Sequence, residues 1–349
     1  MNSMRHVLMV ILLIWGLAVP ASAAEYSPPE VPQSGADRMP AAADSFGSGL
    51  RELVRNTTDL LEPELNSAAE ECAGILCTAM FFSLLPLLSE KTGGTLSAAG
   101  AALLAAILFQ QIRSLVKEAS GAVWDICEYG RLLCPVLTTA LAAQGSLTAS
   151  AALYGGTTAF LSLLNMLVSR WMVPMVYVFL AFSVANCALP AEILKQFADA
   201  VKCVLNWVLK TLLMVFTTYL SITGVVSGTT DLATTKAARL TISTLVPVVG
   251  NLLSDASESV VVSIGVMKNA AGVYGMLAVL AVFVGPFVRL GLKYLLLKLT
   301  AVLCSLFAGK NISALIGDFS TALGFLLAMV AVSCILVLIS TICFLKGMG

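Results

Sequence analysis

Between residues 72 and 345 the chain repeats one pattern: apolar runs near the length of a bilayer crossing, separated by short polar stretches. Nine such runs stand out, at 72–88, 94–112, 132–146, 147–168, 171–190, 204–226, 270–288, 292–309 and 320–345. Within each, the apolar residues are continuous and do not alternate with a period of two, which predicts membrane helices and argues against a membrane β-barrel. The expected fold is all-α, a polytopic transmembrane helical bundle.

The first residues read as an address. Arg5 and His6 precede an apolar run at 7–19, followed by Pro20 and the small-residue pattern Ala21-Ser22-Ala23. This is the order of a secretory signal peptide, residues 1–23, cut after Ala23. Residues 24–71 form a polar extracytoplasmic segment with ten acidic side chains against Arg38, Arg51 and Arg55. Its first half, with Pro28, Pro29, Pro32 and Pro40, reads as a flexible lead. In its second half Leu50, Leu53, Val54, Leu60 and Leu61 recur at helical spacing, which predicts an amphipathic helix. The membrane domain is then 72–349. Nine crossings after an exported N-terminus bring the C-terminus inside.

Composition agrees with that class: 58% of residues are hydrophobic and 11% charged. From residue 72 onward sixteen Lys and Arg face ten Asp and Glu. The nine-span order places Lys195, Lys202, Arg289, Lys293 and Lys346 on the inside, following the positive-inside tendency. Arg113, Lys117 and Arg131 fall outside in that order, within a stretch that also holds Glu118, Trp124, Asp125 and Glu128 and reads as an interfacial amphipathic helix.

Several chemistries drop out. His6 is the one histidine of the sequence and lies inside the signal, so a Ser-His-Asp or Cys-His site has no base in the mature chain. Gly309-Lys310 is followed by Asn311, and Cys304 stands where a Walker loop needs its first glycine. Nine cysteines lie in or beside apolar runs with no C-x-x-C pair, as small apolar fillers do. No catalytic residue, cofactor or metal site is expected, and no nucleic-acid partner. Lys210, inside the 204–226 run, faces a polar pathway or snorkels to the membrane surface. Gly155-Gly156 and Gly272-x-x-Gly275 are weak helix-packing signals.

The candidate functional block runs from Ser221 to Gly275, where ionisable residues enter an apolar chain. Small residues end the preceding apolar run, and Asp231, Lys236 and Arg239 follow. The segment 241–250 is too short to cross and is broken by Pro247 and Gly250, the pattern of a broken or re-entrant helix. Beyond it Asp255 and Glu258 share a helical face, and Lys268-Asn269 opens the next run. These ten positions, Lys210 included, are the candidates for assembly or for lining a conduit.

Five strings in and around this block carry a resemblance: Ser221-Ile222-Thr223-Gly224 through Asp231, Thr235-Lys236-Ala237-Ala238-Arg239, Val246-Pro247-Val248-Val249-Gly250, Leu253-Ser254-Asp255-Ala256, and Lys268-Asn269-Ala270. The chain resembles the stage III sporulation protein AE family of endospore-forming bacteria, from about residue 72 to the C-terminus. The resemblance implies a multi-pass protein of the mother-cell membrane around the forespore. It also implies a place in a channel or secretion-like complex beside other membrane subunits and a separate ATPase. Two other classes stand beside it. One is a secondary transporter binding an ion or small solute at 241–268. The other is an intramembrane enzyme, for which Asp255 and Glu258 offer only a weak carboxylate pair.

Overall fold

An uncharged stretch in lipid must satisfy its own backbone N–H and C=O groups, and the helix is the local way to do so. The computed structural model describes the backbone at residues 29–40, 46–84, 93–143, 147–189, 191–245, 250–307 and 310–347. Side chains are described there except at 60, 84, 93–98, 143, 147–149, 222–271 and 346–347. The signal segment 1–23 lies outside the described residues.

The elements are helices α1 (Gln33–Ala36), α2 (Phe46–Leu84), α3 (Gly93–Ala143) and α4 (Leu147–Leu167), a π turn (Val168–Met172), then α5 (Val173–Ala188), α6 (Glu192–Leu245), α7 (Gly250–Phe307) and α8 (Lys310–Gly347). Several runs that hydropathy separates share a helix. Both 94–112 and, as far as residue 143, 132–146 lie on α3, whose polar middle stays helical, and 270–288 and, as far as residue 307, 292–309 lie on α7. The break between 147–168 and 171–190 is the π turn, just ahead of Pro174. Proline has no N–H and crowds the carbonyl four residues back, and a locally widened turn accommodates it without ending the helix. Among the described residues five helical stretches are long and apolar enough to cross a bilayer: Ala99–Ala142, Ser150–Ala188, Glu192–Ser221, Gly272–Phe307 and Lys310–Leu345.

Helix α7 lies against α2, α3 and α8. Aromatic pairs tie the others: Phe109 meets Phe319 edge-on at 5.3 Å between α3 and α8, and Phe160 stacks on Phe216 at 4.2 Å between α4 and α6. Each such pair adds about 0.5–1.5 kcal/mol beyond area burial. Gly156 leaves room for the Tyr219 ring of α6, whose hydroxyl donates to the Ala152 carbonyl at 2.7 Å, whereas Gly155 faces open space. Cys127, Cys134 and Cys334 are buried among apolar side chains.

Register follows from polar contacts. The Ser313 hydroxyl donates to the Ala301 carbonyl at 2.8 Å and Ser320 to that of Tyr294 at 3.2 Å, so α8 runs back along α7 until Leu345 reaches Gly272. The Cys187 thiol lies 3.4 Å from the Asn311 carbonyl. The α5–α6 and α7–α8 connections therefore share one end of the bundle. Helix α2 runs parallel to α7, pairing Glu64 with Arg289 and Glu71 with Lys293. Its start points to the other end, where α8 finishes.

Two sequence-based expectations change. Lys195 and Lys202 stand at the end from which α8 departs, so they do not share a side with Lys346 if α8 crosses the bilayer. Nor do an outside Glu64 and an inside Arg289 fit a direct ion pair. The polar segment changes as well: Gly35 of α1 packs so closely on α7 that a methyl group there would lie 2.8 Å from the Val282 nitrogen. In α2 the inward stripe is Leu53, Thr57, Glu64, Ala68, Ile75 and Ala79, while Leu50, Val54 and Leu61 are exposed. Leu60 lies outside the described side chains. Reporter fusions ahead of α2 and after residue 347 are expected on the same side of the membrane. Alkaline phosphatase active at one position and silent at the other contradicts this register.

Candidate functional site: a charged cluster inside the bundle

The charges that hydropathy treats as punctuation meet one another. Arg289 lies near the middle of Gly272–Phe307, a stretch of 36 residues, or about 54 Å of helix. Its Nε donates to Glu64 of α2 at 2.6 Å and an Nη to Glu118 of α3 at 3.3 Å. One turn on, the Lys293 ammonium donates to both Glu71 oxygens at 3.0 and 2.9 Å. Three helices are thus joined by one cation and two carboxylates, with a second pair beside them.

Arg38 completes the cluster from the chain just after α1, against Gly285, where a Cβ would meet the guanidinium. Burial lowers its pKa from the ordinary value and Arg289 lowers it further, while Asp37, Glu118 and Glu64 pull it upward. Arginine stays protonated throughout this range. Arg38, Arg289, Glu64 and Glu118 together carry no net charge, the arrangement that makes ions tolerable where solvation is poor. Nearby, the Ser34 hydroxyl donates to Asp125 of α3 at 2.7 Å.

A second interhelical pair holds α6 to α8. Lys202 donates to Asp318 at 3.0 Å and to Asp199 at 3.3 Å, with its ammonium 5.0 Å from the Phe179 ring centre. Between α2, α3, α7 and α8 a narrow cleft is lined by Ala68, Cys72, Leu108, Ile112 and Phe319, with the Lys293–Glu71 pair on its wall. Among the described residues no group of His, Cys, Asp and Glu has the spacing of a metal site.

Of the sequence-predicted candidates, only Lys210 has a described side chain. Lys210 is exposed on α6, away from both. The side chains of Asp231, Lys236, Arg239, Gly250, Asp255, Glu258, Lys268 and Asn269 lie outside the described ones, as does all of Pro247. Helix α6 ends at Leu245 and α7 opens at Gly250, on either side of Pro247. Sequence reasoning missed Glu64, Glu71, Glu118 and Asp318, although a signal existed. Glu64 and Glu71 are seven apart, and Arg289 and Lys293 four apart, so each pair projects from one helical face.

A multi-pass helical membrane protein with charged clusters between its helices is the class that fold and site define. The profile of the Stage III sporulation protein AE family matches residues 42–347, and the chain belongs to that family. Stage III sporulation protein AE of Bacillus subtilis (strain 168) is 19% identical to it over 217 residues, covering 62% of this chain. The match spans about half of that relative, 54% of its length. No solved structure matches the chain.

Replacing Arg289 by Gln removes the cation that Glu64 and Glu118 both bond, leaving only the charge of Arg38 near them. The Arg289 side chain keeps 43% of its surface exposed, so water screens part of the loss and the expected cost is about 1–3 kcal/mol. Thermal unfolding in detergent reads this cost. The triple variant Arg289→Gln, Glu64→Gln, Glu118→Gln should recover most of it, and equal melting of single and triple variants would show that the cluster does not hold α2.

Proposed function

We propose that the chain is a non-enzymatic membrane subunit of a channel or secretion-like complex that connects mother cell and forespore. It resides in the mother-cell membrane around the forespore and is needed for forespore development after engulfment. Other membrane subunits of the complex and a separate ATPase are its partners, and the ATPase supplies the energy. The observation that carries this reading is family membership across the helical bundle. No catalytic residue, cofactor or metal is assigned.

A tagged chain drawn from membranes of sporulating cells under mild detergent tests the proposal. Co-purification of sporulation membrane proteins together with an ATPase is the expected result by mass spectrometry. Recovery of the chain alone counts against it and favours the second reading, a secondary transporter binding an ion or small solute at 241–268. The ion-paired charges between helices favour that second reading, because transporters place such groups along solute paths. Solute flux in liposomes holding the purified chain alone separates the two.

The central block is assigned to assembly or to lining the conduit. Neutralising Asp255, Glu258 and Lys268 together is expected to arrest forespore development after engulfment while membrane insertion stays normal. Wild-type spore yield from that variant would remove these three residues from the assignment.

A further inference from the structure

The depth of the hydrocarbon slab can be read from the two least charged helices. Helix α7 carries no Asp, Glu, Lys, Arg or His at 272–288, and α8 none at 319–345. The former stretch alone is about 25 Å of helix, close to a bilayer core. Gly35 packs on Val282 and Arg38 on Gly285, within that slab, and Glu64 meets Arg289 at its edge. Since α2 runs parallel to α7, its residues before Glu64 continue alongside the slab toward Gly272.

At this depth the sides of the bundle differ. On α4, the π turn, α5 and α6, the exposed side chains include Met166, Trp171, Val178, Trp207, Met214 and Val215, which suit lipid. On α2, Arg51, Arg55, Asp59 and Glu62 are all exposed. Among the described residues no ion pair joins any of the four to another group. At the same depth α3 presents the Glu128–Arg131 pair, half exposed. Leu50, Val54, Leu61 and Leu65 lie between the buried stripe of α2 and its charged arc, so the helix is polar on one arc only.

We propose that the outer arc of α2 borders a water-filled cavity at bilayer depth. Unpaired charges of both signs need hydration, and lipid supplies none at that level. Irregular or charged surface persists within a membrane where protein encloses it or water reaches it. That no described residue forms an ion pair with Arg51, Arg55, Asp59 or Glu62 favours water. This inference rests on the membrane bundle alone and stands whether the chain serves a channel complex or a transporter.

Cysteine accessibility tests it in the full-length chain. In a background with Cys72, Cys77, Cys203 and Cys343 replaced by serine or alanine, the variants Thr58→Cys and Arg51→Cys place a thiol on the outer arc at bilayer depth. Met214→Cys places one on the apolar side. A charged, membrane-impermeant maleimide reacts with the thiolate, which forms in water and not in lipid, so the α2 positions should label about tenfold or more faster than Met214→Cys. Labelling is followed in cells opened by lysis, so that both membrane faces meet the reagent, and in liposomes holding the purified protein, with single-peak elution of each variant in detergent as the folding control. Fast labelling in both membranes supports the cavity. Labelling of the α2 positions only after solubilisation means that lipid covers the arc, and labelling in liposomes but not in cells means that a partner protein covers it; either result overturns the proposal.

Discussion

The position of the acidic N-terminal helix depends on the Arg289 guanidinium and the two carboxylates it gathers from α2 and α3. In lipid there is no hydrophobic drive for one apolar helix to choose another, so packing and polar contacts select partners. Glu64 and Glu71 fix the rotation of α2: with both facing α7, Leu53, Ala68, Ile75 and Ala79 fall on the buried stripe and the remaining charges must point away. One ionic contact thereby determines which surface of the molecule is polar.

A buried ion pair is poor evidence of stability, because desolvation consumes much of the attraction, but it is strict about register. A one-turn slip of α2 along α7 would leave Arg289 and Lys293 each facing the wrong partner, whereas the leucine and alanine contacts beside them would tolerate it. The small residues of α7 act differently. Gly272 and Gly275 admit Leu345 and Leu133 without specifying charge, so they bring helices close while the clusters set alignment. Lys202, held by Asp199 and Asp318, performs the aligning role between α6 and α8.

Much of this was legible in the sequence and some was not. Hydropathy identified the membrane class and the all-helical fold, since continuous apolar runs have few structural alternatives in a bilayer. It cut α3 and α7 in two because the charged stretch from Arg113 to Arg131, and Arg289, interrupt the apolar runs. In the folded chain Glu118 and Arg289 lie against each other, and helix continues through both stretches. The division between 147–168 and 171–190 is likewise bridged, by a π turn. The stripe Leu50, Leu53, Val54 misled for another reason: hydrophobic periodicity cannot weigh Leu53 against Leu50 when two glutamates further along the helix choose the face.

Composition contained a clue of a different kind. Residues 24–71 carry a surplus of acid, and the chain from 72 onward a surplus of base. Read as topology, the two surpluses belong on opposite sides of a membrane; read as chemistry, each is the counter-charge of the other. The second reading accounts for Glu64, Glu71, Arg289 and Lys293 together, and explains why an otherwise soluble-looking helix lies against an apolar one. It also explains the polar outer arc of α2, because a helix recruited by two of its acids brings its other charges to the same depth.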